Sequence, residues 1–488
     1  WVAAWATYPH FTPKQPMNDK LLILEDTDND GKADACKTFA GDIHNPTGFE
    51  FYNGGVIVAS GPEILFLKDT DGDDKYDVRE RIIHGIDTAD THHASNSFVF
   101  DPGGALYFQE GTFHRSQIES PWGPPVRLAD AGVFRYRPVT QEIDVYVSYG
   151  FANPHGHVFD RWGQDFVTDG TGAETFWAPT FSGRVYFPQK HAKPPKPYEQ
   201  RTRPCSATEI LSSRHFPDEM QGNLLVLNVI GFQGILQYKF ADKDSGFAAT
   251  EIEPLVQSDD PNFRPADIEV APDGSVYFTD WHNPIIGHMQ HNLRDPNRDR
   301  NHGRVYRITY DGRELAKPAK IDGQPVEALL DLLKDSQDRV RYLARLELGE
   351  RKGDEVVAAA KKWVAGLDQK DKEYEHHRLE GLWVHQWHNA VDADLLKQVL
   401  RSPEPRARAA ATRVLTDWRD RVPDALSLMK VQATDEHPRV RLEAVRGCSF
   451  FQTPEAMEVA LESVNLPQDP ALEHTLNETI QTLERLQK

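Results

Sequence analysis

Two short loops hold the densest set of ligating groups in the chain. DTDNDGKAD begins at Asp26 and DTDGDDKYD at Asp69, so each places carboxylates at loop positions 1, 3, 5 and 9. Alternate residues of a tight turn bring several oxygens to one point, which is what a hard cation such as calcium requires. The candidate ligands are Asp26, Asp28, Asp30 and Asp34 in the first loop, and Asp69, Asp71, Asp73, Asp77 and Glu80 in the second. The first loop has Gly31 at its sixth position but Lys37 at its twelfth; the second has Glu80 at its twelfth but Asp74 in place of the glycine. Neither is a full EF-hand loop. Carboxylates crowded this closely repel one another without a cation, and a calcium ion held there would rigidify the fold rather than catalyse.

A second set of reactive groups is dispersed in sequence but recurs at one place in a repeated unit. Before the first apolar run of successive units stand His44 and Asn45, then His92, His93 and Asn96, then Asn153, His155 and His157, then Arg264 and Asp267. The second apolar run of each unit ends at Ser60, Glu110, Asp169, Asn228 and Asp280, with His282 just beyond. A histidine flanked by carboxylates is a candidate general base, because its pKa lies near working pH. The alternative is a transition-metal site using His92, His155, His157 or His282. His288, His291 and His302, with Arg294, Arg298 and Arg300, lie in a stretch that either folds over these groups or forms a belt against the C-terminal half.

The unit itself reads apolar run, glycine turn, apolar run. Copies are NPTGFEFYNGGVIVAS from Asn45, NSFVFDPGGALYFQEG from Asn96, NPHGHVFDRWGQDFVTDG from Asn153 and RPADIEVAPDGSVYFTDW from Arg264, with GNLLVLNVIG from Gly222 between the last two. WVAAW at the start matches the second run of an earlier copy whose first run is absent. Six units of about 50 residues predict a six-bladed β-propeller over residues 1–315, its first blade incomplete. In that fold, the residues before each first strand and after each second strand converge at one mouth.

From residue 316 to 488, Pro and Gly thin out and apolar positions recur every three to four residues. DSQDRVRYLARLELGE, SPEPRARAAATRVLTDW and DEHPRVRLEAVRGCSFF share a turn, an arginine and an amphipathic helix; Arg341, Arg408 and Arg441 mark them, and Arg378 marks a fourth copy. This predicts an α-helical solenoid of HEAT-like repeats, a surface for packing or for a protein partner.

Seventy-five acidic against 55 basic residues give a net charge of −20, which excludes nucleic acid as the expected partner. No run of 18 apolar residues predicts a membrane span. Cys36, Cys205 and Cys448 are far apart, with no CxxCH for haem attachment.

The first half resembles the propeller of a membrane-bound dehydrogenase family of planctomycetes and verrucomicrobia. The resemblance is carried by LEDTDNDGKAD, LFLKDTDGDDKYD, DTHHASNSF, FHRSQIESPWGP, GFANPHGHVFDRWG, NVIGFQGILQ, the stretch from DPNFRPADIEVAPDGSVYFTDW to NLRDPNRD, and HGRVYRI. It implies a HEAT-like region after the propeller, an extracytoplasmic (periplasmic) location and a cytochrome c as electron partner, fused or separate. More distantly, the propeller is similar to soluble quinoprotein glucose and sorbosone dehydrogenases, which use pyrroloquinoline quinone with calcium. That similarity implies His93 as catalytic base, with His92 the alternative register. It places Asn153 and His155 in the cofactor-binding segment, with Ala152 where an arginine would stand. Arg264 matches one cofactor-binding arginine and Ala266 replaces another, while GNLLVLNVIGFQGILQ offers no match for the cofactor-binding lysine.

Three readings follow. The first is a sugar or alcohol dehydrogenase, with His93 as base and with Asp169, Asp280, His282, Glu110 and His157 binding substrate. The second is a metal-dependent hydrolase or lyase, and the third a scaffold that binds glycan or protein without chemistry.

Overall fold

The computed structural model describes residues 1–8, 16, 18–28, 30–181, 183–287, 291–292 and 294–486. The N-terminal half is a succession of antiparallel sheets joined in chain order, because short apolar runs alternate with glycine turns. The first sheet contains β1 (Val2–Ala4), β2 (Asp19–Glu25) and β3 (Ala35–Ile43), and the second β4 (Phe49–Tyr52), β5 (Gly55–Ser60), β6 (Glu63–Lys68) and β7 (Val78–His84). The third begins with β8 (Asn96–Phe100) and β9 (Leu106–Glu110), is interrupted by a ribbon of β10 (Arg115–Ile118) and β11 (Val126–Ala129), and resumes with β12 (Gly132–Arg137) and β13 (Glu142–Ser148). The fourth comprises β14 (Pro154–Phe159), β15 (Asp165–Asp169) and β16 (Glu174–Trp177). The fifth has β17 (Cys205–Ile210), β18 (Leu224–Asn228), β19 (Gly234–Lys243) and β20 (Gly246–Gln257), and the sixth β21 (Pro265–Val270), β22 (Val276–Asp280) and β23 (Arg304–Ile308).

The first strands of the second to sixth sheets lie side by side, β4 against β8, β8 against β14, β14 against β17, and β17 against β21. Neighbouring sheets stack face to face on apolar layers. Leu21 and Ile23 meet Val56 and Val58, Tyr107 and Val133 meet Val167 and Phe176, and Leu225 and Ile235 meet Ile268 and Phe278. This arrangement of sheets about a common axis is propeller-like. The repeat in the sequence located β18 but not β17, whose polar CSATEI lacks the apolar signature of the other first strands.

Among the described residues ten α-helices follow: α1 (Val326–Leu332), α2 (Asp338–Gly349), α3 (Gly353–Ala365), α4 (Tyr374–Trp387), α5 (Ala393–Val399), α6 (Pro405–Asp417), α7 (Ala425–Ala433), α8 (Pro438–Cys448), α9 (Pro454–Leu461) and α10 (Pro470–Leu486). They pair consecutively, and α2, α4, α6, α8 and α10 pack on one another as an inner layer. The repeated arginine has one job in three copies. Arg341, Arg408 and Arg441 each donate from Nη1 to the carbonyl six residues earlier, of Asp335, Ser402 and Asp435. Each thereby fastens the turn between helices. Arg378 departs from the pattern and bonds Glu375 instead. No helix of the described residues is long and apolar enough to cross a membrane.

The inner layer packs on strand turns, four of them between first and second strands and one, at Gly246, between the third and fourth strands of the fifth sheet. Gln337, just before α2, accepts from Arg214 N and donates to Pro272 O. Glu350 at the end of α2 accepts from Gly54 N, and His376 of α4 bonds Arg161 O. Arg413 of α6 donates to Trp162 O, and Arg439 of α8 donates to Gly246 O with its guanidinium over Phe247. The inner face of the solenoid is therefore occupied by the chain's own sheets. Gly104, at φ +88°, lies under Trp387, and a Cβ there would sit 2.6 Å from its ring. Gly104→Ala is expected to destabilise the protein by about 2 kcal/mol in chemical denaturation. Gly123→Ala, with nothing within 4 Å, is the control expected to leave the midpoint unchanged.

Candidate functional site

The end of the sheets opposite the solenoid is built from the loops that enter the first strands. The loop between β7 and β8 carries Asp90, His92 and His93. Asp90 turns the chain by accepting from His92 N at 2.5 Å, and its Oδ2 lies 3.2 Å from His93 Nδ1. The buried ring of His114 holds the Asp90 carbonyl at 2.9 Å. Gly111 N donates to His93 O, and a Cβ on Gly111 would collide with the His93 ring at about 3 Å, so the glycine lets that ring lie flat. The carboxylate favours the His93 tautomer protonated at Nδ1, leaving Nε2 as the basic nitrogen.

His92 and His155 join His93. The His92 ring is 4.9 Å from that of His93 and 6.3 Å from that of His155. Burial, with His93 beside it, pushes His155 down to about 4, so it is neutral. Burial holds the Tyr8 phenol protonated, and it shares a hydrogen bond with His92 Nδ1 at 2.7 Å while standing edge-on to Trp281 at 5.3 Å. Histidines predicted from separate repeats thus converge, joined by two aromatic residues that the sequence did not single out.

The residues closing the second strands have a different role from the expected one. Asp169 accepts from Asn153 N at 3.0 Å and Thr171 N at 3.2 Å. Asp280 Oδ1 accepts from Arg264 N at 2.7 Å and His282 N at 2.8 Å, with Arg304 Nε 3.2 Å from its other oxygen. In the same way Ser60 Oγ accepts from His44 N. These groups fasten the mouth loops rather than present free oxygens. Glu110 is buried, accepts from Ser116 Oγ at 2.6 Å, and is pushed up to about 8 by burial. His157 points away from the mouth, its buried ring bonded to Asp165 at 2.8 Å and edge-on to Tyr107. His282 and Asn153 remain half-buried at the mouth.

The stretch after β22 is tied to the mouth. Asn283 accepts from Arg264 Nε and donates to Asp299 O, and the buried Arg298 lies near enough to act electrostatically on Tyr8. His288 lies outside the described residues. The positions where the quinoprotein resemblance expects cations for a tricarboxylated quinone are occupied differently. Arg264 spends Nε and Nη1 on the carbonyls of Asn283 and Phe263, and Ala152 and Ala266 stand where further arginines would be needed. Among the described residues, the groups of three or more His, Cys, Asp or Glu whose ligand atoms lie within 4.8 Å of one another are Asp26, Asp28 and Asp34, and Asp69, Asp71 and Asp73. His92, His155, His157 and His282 do not form such a group. Asp77 instead bonds Thr70, Asp30 accepts from Lys32 N, and Glu80 lies on exposed β7.

At the solenoid end α2 is fastened to the first strands. Arg339 of α2 reaches Glu269 at 2.6 Å, and Tyr342 donates to Glu50 at 2.7 Å. Burial pushes Glu50 up to about 7, and enclosure beside Glu269 raises Glu209 and Asp267 as well.

The domain of unknown function DUF7133 matches residues 1–201 and 179–312, and HEAT repeats match residues 393–481. No curated protein matches. Solved structures that are similar include a luciferin-regenerating enzyme (13% identity, TM-score 0.39, covering 59% of this chain and 84% of that one). A glucose dehydrogenase has 12% identity and TM-score 0.38, covering 62% and 95%. The apo-form soluble aldose sugar dehydrogenase of Escherichia coli has 14% identity and TM-score 0.30, covering 48% and 73%. Likenesses this distant carry no argument about chemistry.

Because Glu110 is protonated in the folded protein up to about pH 8 and ionised when unfolded above about pH 4.3, folding binds a proton between those values. Stability through this group is therefore lost as pH rises through that window. Glu110→Gln is expected to leave Tm unchanged near pH 4 and to raise it progressively toward pH 8.5, measured by scanning calorimetry.

Proposed function

The chain belongs to the family of the domain of unknown function DUF7133, and from that premise we propose that it is an extracytoplasmic oxidoreductase, a six-bladed propeller that oxidises a sugar or other alcohol. The observation that carries this reading is the Asp90–His93 pair at 3.2 Å among His92, His155 and Tyr8. Asp90 lies beside Nδ1 of His93 and orients its ring, so that Nε2 takes the proton from a substrate hydroxyl. His155 is neutral and adds no positive charge to the mouth. The protonated Tyr8 holds His92 in place. The hydrogen on the substrate carbon leaves with two electrons for an acceptor taken up at the mouth, and a cytochrome c, fused or separate, is the next carrier.

Calcium is proposed for the two acidic loops, where it would rigidify the outer strands. The converging carboxylates of Asp26, Asp28 and Asp34, and of Asp69, Asp71 and Asp73, fit a hard cation that takes oxygen ligands. The solenoid is proposed to brace the propeller, and its outer layer to remain available to a protein partner.

Sugar-dependent reduction of an artificial dye, with and without added quinone and calcium, tests the reaction. His93→Ala is expected to lower kcat by about 100-fold or more, while Asp90→Asn is expected to shift the acidic limb of the pH profile. Absence of dye reduction with every sugar and alcohol offered would overturn the reading. Chelation of calcium is expected to lower Tm by about 5 °C, and a variant carrying D26N, D28N, D69N and D71N is expected to lose most of that response.

A further inference from the structure

Phe113, in the loop between β9 and β10, costs the fold twice. Its backbone lies at φ +74°, a region that bulky side chains rarely occupy and that stores strain. Its side chain is apolar yet 46% exposed. The segment around it is pinned on both sides, since Gly111 N donates to His93 O and His114 Nε2 bonds the Asp90 carbonyl. Glycine or asparagine would make the same turn with less strain. A lone exposed apolar residue is ordinary. One that also carries a left-handed backbone, beside the histidine proposed as base, calls for a reason outside folding.

Phe113 is one end of a row of rings. Its centroid lies 5.5 Å from that of His93, with the two planes at 77°. His92 follows His93 at 4.9 Å, Tyr8 follows His92 at 5.9 Å, and Trp281 follows Tyr8 at 5.3 Å. His93 is buried, whereas Phe113 is exposed and Trp281 half-buried. A molecule whose hydroxyl meets His93 Nε2 has its carbon skeleton among these rings. Aromatic side chains offer broad, rigid apolar contact. A cyclic sugar matches it with the flat face formed by its axial C–H bonds. An open-chain polyol has no fixed face and gives up rotational freedom to make one.

We propose that Phe113 is a specificity-determining residue of the mouth, the wall on which the ring of a cyclic sugar lies while one of its hydroxyls meets His93. The site then prefers ring-closed sugars to open-chain alcohols. This rests on the sugar-oxidation reading above and narrows its substrate class.

Dye reduction by the full chain with glucose, and with its open-chain alditol sorbitol, tests the proposal. Phe113→Gly and Phe113→Asn, both compatible with positive φ, are expected to raise KM for glucose by about tenfold and to leave kcat within about threefold. The preference for glucose over sorbitol in kcat/KM is expected to fall by about tenfold in both variants, and Phe113→Tyr to keep it within about twofold of wild type. Wild-type protein that oxidises sorbitol as readily as glucose, or a glucose KM that neither variant moves, would overturn the proposal and leave the oxidation itself standing. If wild-type protein reduces no dye, the oxidation reading fails, and calorimetric titration with glucose decides the wall by itself. Binding weakened by about tenfold in Phe113→Gly would support it, and binding that is absent or unchanged would overturn it.

Discussion

The Arg339–Glu269 ion pair and the Tyr342–Glu50 hydrogen bond fasten α2 across one end of the axis around which the sheets are arranged. They belong to a continuous seam in which successive inner helices pack on successive strand turns, from Gln337 at the β21–β22 turn to Arg439 at the β19–β20 turn. A propeller-like assembly is held mainly by apolar contact between neighbouring sheets, so a curved clamp across many of its turns limits how far those sheets can slide. It also leaves the opposite end as the place for exchange with solvent. The arginine and tyrosine enter among carboxylates whose protonation is favoured by burial, which lessens the repulsion an acidic axis would otherwise carry.

At the open end, the same economy of polar groups shapes the mouth. Asp169, Asp280 and Ser60 spend their oxygens on the backbone of the entering loops. With those loops fixed, Asp90 can hold His93, and Tyr8 can hold His92, without either histidine relying on long, flexible connections. The positions where a resemblance to quinoproteins asks for cations are instead alanine or an arginine bonded to backbone carbonyls. A histidine stands where the resemblance places the base, while the residues it expects to cradle the cofactor differ.

Much of this was legible in the sequence, for physical reasons that also mark its limits. The strand–glycine–strand unit revealed the sheets because both strands need apolar faces and their turn needs positive φ; β17 escaped because its strand is polar. The repeated arginine revealed four inner helices, since one bond to the preceding turn recurs in three of them. The convergence of His92, His93 and His155 followed from their place in the repeat. Sequence spacing could not tell which way a side chain turns from its strand, so His157 and Glu110 were expected at the mouth although both are buried in the sheets. Nor could it show that Asp169 and Asp280 are consumed by local backbone. Tyr8 and Asp90 lie outside the repeating unit, and Trp281 closes one copy of it without recurring in the others, so none carries a periodic signal.

A crystal structure of the protein soaked with glucose at high concentration tests most directly whether the mouth around His93 is where the chemistry occurs. The sugar is expected there, with one hydroxyl about 3 Å from His93 Nε2. Sugar bound only at another surface, or a mouth in which His93 Nε2 faces protein rather than ligand, would contradict it.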